Sequence, residues 1–284
     1  MATRSCTLNY KNPGDIKYKI SSNKQMITGF NLTIPGWSQE KSDYEIKARP
    51  FIQVKSGRAI KFDLLLEDVF KIVRFISFCV LDRVKILTLR ASQGSKDYEC
   101  YIESSLFTNG ADVDGALDRS HQMRIIFTQD EILHHVKNPI SKWVEFEEKY
   151  GEVSRLFYQS LNINDLPLEN LIINLTTALE SYRRIRNPGS DVCLKDAILE
   201  IAKMHRLSIR SKCKITNITK WSQSIADTRN YYAHIAPNKE KKRLKGGKLY
   251  SAIINERHLL IAVVLEELGL STKAIRDTFK KAFY

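Results

Sequence analysis

From about residue 140 to the end of the chain, apolar side chains recur at the spacing of an α-helix almost without interruption, which limits that half to a helical bundle. Pro139 punctuates the change, and ISKWVEFEEKYGEVSRLFYQSL follows it. Next, Asp165 is placed to cap a helix with Pro167 in its first turn. Its apolar stripe runs through Leu168, Leu171, Ile172, Leu175, Leu179 and Tyr182. After NPGSD (187–191) the pattern predicts a shorter helix over about 192–206, then one over about 217–234 that buries Ile218, Trp221, Ile225 and Tyr232. A basic loop, a strongly apolar helix over 252–268, a stop at Gly269 and a last helix opened by Ser271 complete five or six helices.

The first half has a different pattern. YEIKARPFIQVKS (44–56), RVKILTLRA (83–91), DYECYIES (97–104) and HQMRIIFTQ (121–129) alternate in polarity or are rich in β-branched and aromatic residues, as strands are. Leu65, Val69, Ile72, Val73, Ile76 and Val80 have helical spacing, which predicts one amphipathic helix against a sheet. TNGADVDGALD (108–118) has the composition of a loop, and Thr128 with Glu131 forms a capping-box pattern. The expected class is therefore α+β, with a mixed α/β domain over 1–139 and an all-α domain over 140–284.

Composition excludes several classes. A 43% hydrophobic and 27% charged chain is globular, not disordered. The longest apolar region, 72–88, is broken by Arg74, Asp82, Arg83 and Lys85, so no membrane span is expected. The N-terminus MATRSCTLNYK lacks the apolar core of a secretory signal. Cys6, Cys79, Cys100, Cys193 and Cys213 are odd in number with no close pair, which points to reduced thiols in a cytoplasm and to no zinc site. No metal and no cofactor is expected.

Charge is uneven. Residues 1–150 hold 22 Lys/Arg against 19 Asp/Glu, whereas 151–284 hold 23 against 13. The positive field of the second half suits a polyanion. Within it, DTRNYYAHIAP (227–237) sets Arg229, Asn230 and His234 at the end of a predicted helix. A histidine moves a proton near neutral pH, and a guanidinium grips a phosphate through two parallel hydrogen bonds. Composition alone yields roughly a third of an Arg-x4-His match in such a chain, so specificity must come from context. At 100° per residue Asp227, Asn230 and His234 share a face, while Arg229 sits about 140° from His234 and must swing toward it. The plainer alternatives are a histidine closing its helix and an arginine paired with Asp227 or Glu180. Just beyond, NKEKKRLKGGK (238–248) carries Lys239, Lys241, Lys242, Arg243, Lys245 and Lys248 in what reads as a mobile cationic loop, suited to phosphates without reading base sequence.

These residues bring a family into view. Residues 140–284 resemble HEPN domains, the helical domains of many prokaryotic defence and toxin ribonucleases. The NLTTALESYRR helix (174–184), the DTRNYYAH helix and the terminal apolar helix pair are most similar to the C-terminal domain of ApeA abortive-infection proteins. PFIQVKSGRAIKFDLLLEDVFKIVRFISF (50–78) resembles the ApeA N-terminal domain. The resemblance implies a metal-independent endoribonuclease of an antiphage or toxin system. Its Arg-polar-x3-His motif falls on Arg229, Asn230 and His234, and Glu180 matches an acidic position that orients the arginine. It also implies a homodimer or higher homo-oligomer in which two motif helices build one cleft, with RNA as substrate and a phage-derived trigger or an antitoxin as partner. The alternatives are a non-catalytic RNA- or nucleotide-binding module, and a protein–protein sensor whose bundle only dimerises.

Overall fold

The structure is a computed structural model that describes residues 16–21, 24–33, 47–84, 86, 88–93, 96–100, 126, 132, 134–161, 166–189, 192–213, 215–235 and 237–282. Contacts divide the chain into two compact units, 1–69 and 70–284, which meet inside the first helix.

In the first unit, β1 (Ile16–Ser21), β2 (Lys24–Thr33) and β3 (Lys47–Ser56) form an antiparallel sheet in that order. Lys24 pairs with Ser56 and Thr33 with Lys47, so β2 is the central strand. Pro50, which cannot donate to a ladder, lies on the edge strand β3 opposite Phe30. Ile20, Met26 and Ile27 are buried, and Lys24 makes an ion pair with Asp68 of α1 (Phe62–Val80). The β1–β2 hairpin was not anticipated, although IKYKIS alternates as a strand should.

In the second unit, a β4 (Leu89–Gln93) and β5 (Lys96–Cys100) hairpin covers part of the expected 83–91 and 97–104 strands. Apart from Ile126, the 121–129 strand lies outside the described residues, as does the whole 108–118 loop. Of the helix expected after Thr128, residues 132, 134 and 135 are described and helical.

The helices are α2 (Pro139–Gln159), α3 (Leu168–Arg186), α4 (Leu194–Met204), the single turn α5 (Arg206–Ile209), α6 (Ile218–His234), α7 (Gly246–Glu267) and α8 (Thr272–Ala282). Leu171, Ile172, Leu175, Leu179 and Tyr182 of α3 are fully buried, the stripe its sequence predicts. α7 begins six residues before the expected 252 and absorbs Gly246, Gly247 and Lys248. Its run Leu259–Leu265 is at most 1% exposed at every position, which buries all sides of the helix.

Aromatic rings tie α1, α2 and α3 together. Trp143 lies 5.5 Å from Phe75 and 5.6 Å from Phe78, and a further series runs from Trp143 through Phe146 and Tyr150 to Tyr182. α2 bends at Tyr150 (φ −125°, ψ 33°), just before Gly151. The C-terminal half of α1 therefore faces α2, where the sequence suggested a sheet. Arg74 donates to both Glu147 oxygens at 2.8 Å, and Ser154 supplies a third hydrogen bond to that carboxylate.

Beyond these rings, Tyr182 Oη donates to Glu267 Oε1 at 2.8 Å and accepts from Arg186, whose other nitrogen reaches Glu266 at 3.3 Å. Buried His205 sits 3.1 Å from Glu266, and burial holds it toward the neutral form against that carboxylate's pull. Glu256, midway along α7, is fully buried and accepts from Thr176 Oγ1 at 2.9 Å. Burial pushes its carboxyl well above the usual range.

Two predictions follow from the charged groups in this unit. Glu147→Ala leaves the Arg74 guanidinium unpaired and should cost about 3 kcal/mol in denaturant titration, most of it recovered by adding Arg74→Met. Glu256 is neutral when folded but ionises near pH 4.3 when unfolded, so stability attributable to it is present below that pH and declines as pH rises above it. Glu256→Gln should therefore match the parent protein near pH 4 and melt at higher temperature near pH 8. A constant difference between the two proteins across pH would contradict this assignment.

Candidate active site

Helix α6 is delimited at both ends by local chemistry. Asn217 caps it, its side chain accepting from Lys220 N at 2.9 Å. At the other end Ile235 adopts a left-handed conformation (φ 47°, ψ 49°), so the helix stops one residue after the motif and His234 stands in its last turn. Ser222, Ile225, Ala226, Asp227 and Thr228 are the fully buried positions, whereas Ile218, Trp221 and Tyr232 are half-buried. Asp227 belongs to the inner face, where Gln223 donates to it at 3.1 Å.

The three motif residues converge. Arg229 Nη1 lies 3.3 Å from His234 Nε2 and 3.3 Å from Asn230 Oδ1. Its Nη2 lies 3.6 Å from Glu180 Oε2, on the neighbouring α3. The 140° separation on the helical wheel is thus closed by the length of the arginine side chain within one subunit. Asn230 touches the guanidinium and not the imidazole. Of the two ion pairs considered for Arg229, Glu180 is the one the structure contains.

A guanidinium has donors only, so Nε2 of His234 is the acceptor in this contact and engages its single lone pair there. His234 is exposed, and the Arg229 side chain is 21% exposed. The pair is open to a ligand yet anchored through Glu180. A second guanidinium, Arg184, approaches the same carboxylate at 3.0 Å. Its i, i+4 spacing from Glu180 was visible in the sequence, but nothing in the pattern marked it as part of the site.

The basic segment is more ordered than its composition suggested. Pro237–Lys242 forms a 3-10 turn, and Lys245 directly precedes α7. Leu244 N donates to Thr228 Oγ1 at 3.0 Å and Tyr232 Oη to Leu244 O at 3.4 Å, fastening the segment to the motif helix. Arg243 stacks over Tyr231, 4.0 Å from its ring centre, and is also 5.7 Å from Tyr232. Burial raises the Tyr232 phenol. Arg243 is thus committed to the aromatic pair, whereas Lys241, Lys242, Lys245 and Lys248 are exposed. The side chain of Lys239 lies outside the described residues. No group of three His, Cys, Asp or Glu among the described residues is placed to hold a metal, and no described helix is long and apolar enough to cross a membrane.

Thr228→Val removes the acceptor for Leu244 N and should cost about 1–2 kcal/mol. Hydrogen exchange at the Leu244 amide that rises by more than exchange at the α7 core amides is the expected local signature.

The family model described as Apea-like HEPN matches residues 173–274, a span containing Glu180, Arg229, Asn230 and His234. The one described as ApeA N-terminal domain 1 matches residues 2–143. No curated protein and no solved structure matches the chain. With both domain types present in order, the chain belongs to the ApeA-type HEPN proteins, which at the level of the family are nucleases of antiphage defence.

Proposed function

We propose that this chain is a metal-independent endoribonuclease in which His234 and Arg229 act on one phosphodiester. The observation that supports this most directly is the 3.3 Å approach of Arg229 Nη1 to His234 Nε2 at an exposed helix end. An incoming phosphate offers the guanidinium a charged acceptor in place of a neutral imidazole. Arg229 turns to the phosphate and uncovers the Nε2 lone pair. That nitrogen removes the proton of the ribose 2′-hydroxyl. The 2′-oxygen attacks phosphorus, the bond to the 5′-oxygen breaks, and the leaving oxygen takes up a proton. One product ends in a 2′,3′-cyclic phosphate and the other in a 5′-hydroxyl. Arg229 stabilises the additional negative charge as the bonds exchange. Asn230 and Glu180 hold the guanidinium in place.

Lys239, Lys241, Lys242, Arg243, Lys245 and Lys248 supply salt-sensitive attraction for the RNA backbone, with Arg243 acting through its stack on Tyr231. The active species is a homodimer whose two α6 helices face each other across a two-fold axis. Ile235, 77% exposed beside His234, gives such a contact an apolar centre. Residues 1–139 act as the sensing or regulatory domain and 140–284 as the nuclease. The protein works in the cytoplasm, where a phage-derived trigger or an antitoxin governs RNA cleavage that would otherwise be toxic to the host.

His234→Ala should lower RNA cleavage by about 10²–10⁴-fold while RNA still shifts on a native gel, and EDTA should leave the parent activity intact. Cleavage that survives the substitution, or that EDTA abolishes, overturns the mechanism. Intact RNA recovered from a complex with the parent protein would instead identify a binding module.

A further inference from the structure

A cavity of about 500 Å³ opens where α4, α5 and the start of α6 meet, at the opposite end of the motif helix from His234. Ile218 lines it and His234 lies sixteen residues further along α6, roughly 24 Å at the helical rise. The cavity is therefore separate from the Arg229–His234 pair.

Its floor is apolar and buried: Ala202 is 1% exposed, Ile209 3% and Cys213 6%. Its rim is cationic. Arg206 and Arg210 stand one helical turn apart, both exposed, and neither has an ion-pair partner among the described residues. Leu207 between them is 61% exposed, an apolar side chain held in water at the cavity mouth. Among the described residues no carboxylate lines the space, and Thr216 is a neutral polar side chain that does. Such a volume lies in the range of small-molecule sites.

The lining selects among anions. Among the described residues it has no aromatic ring on which a base could stack. An aliphatic floor beneath two free guanidiniums matches a molecule with an alkyl body and one ionised head. We propose that this cavity binds a small amphiphilic anion, its chain over Ala202, Ile209 and Cys213 and its carboxylate or phosphate between Arg206 and Arg210. A planar fork from each arginine accounts for the head, and water released from the apolar floor accounts for the body.

Isothermal titration calorimetry of the full chain with decyl phosphate, decanoate, decanol, inorganic phosphate and AMP, all below micelle-forming concentrations, tests this. At least one decyl anion should bind one per chain, and decanol and inorganic phosphate should bind at least tenfold more weakly. Tighter binding of decyl phosphate than of decanoate identifies a phosphate head, and the reverse a carboxylate. Arg206→Gln with Arg210→Gln should reduce affinity at least tenfold with an unchanged circular dichroism spectrum. Leu207→Asp, at an exposed position, should weaken binding as well. Decanol binding as tightly as the anions, a double variant that binds like the parent, or AMP outcompeting both decyl anions would each overturn the proposal.

Discussion

The bundle is organised by the need to bury one helix on every side. Leu259–Leu265 spans nearly two turns with no more than 1% exposure at any position, so α7 has no face that tolerates water. Each such large side chain contributes about 1.5–3 kcal/mol when taken out of water, a sum large enough to require neighbours in all directions. α2, α3, α5 and α8 pack directly on α7. The motif helix packs on α3 and α4, with the basic segment along it. It is thus an outer helix with one face committed to packing and its last turn left to solvent. A catalytic constellation needs both conditions, rigid support and access.

That arrangement explains why Glu180 matters more than its charge suggests. It is on α3, whose apolar stripe is fully buried, so its backbone is fixed by the same core that fixes α6. An exposed ion pair with Arg229 contributes little stability on its own. Its effect is to restrict where a long, rotamer-rich side chain spends its time. With Nη2 drawn to Glu180 and Nη1 shared between Asn230 and His234, the guanidinium is held by three partners on two helices. Lysine could not reproduce this: an ammonium lacks the planar fork that reaches a carboxylate from one nitrogen and an imidazole from another.

Much of this was legible in the sequence, for identifiable reasons. The α3 stripe was readable because burial on one face leaves a strict 3.6-residue imprint. Arg229, Asn230 and His234 were named from residue types and spacing and Glu180 from the family resemblance, and the structure places the Arg229 guanidinium within reach of the other three. Other features left no periodic mark. The first turns of α7 contain Gly246 and Gly247, poor helix formers, with exposed Lys248, Tyr250 and Ser251, so its start has the composition of a loop. The order in the basic segment comes from Thr228, Tyr231 and Tyr232 reaching across to residues twelve to sixteen positions away. Local composition does not report contacts of that kind, so lysines and glycines read as a loop. The Arg206–Arg210 cavity is likewise a product of packing: its floor is drawn from two helices and the turn that follows them.

The resting contact between Arg229 and His234 also constrains how such a site is kept safe. In the proposed mechanism the Nε2 lone pair of His234 accepts a hydrogen bond from the guanidinium at rest and stays occupied until that donor moves. A polyanion reverses that order by offering the guanidinium a stronger acceptor. On the proposed mechanism, substrate charge would expose the base and place the electrophile in the same movement, coupling proton transfer to correct phosphate placement. A site built this way would need no lid to keep its base engaged at rest, and the segment it depends on is the short length of α6 from Arg229 to the left-handed turn at Ile235.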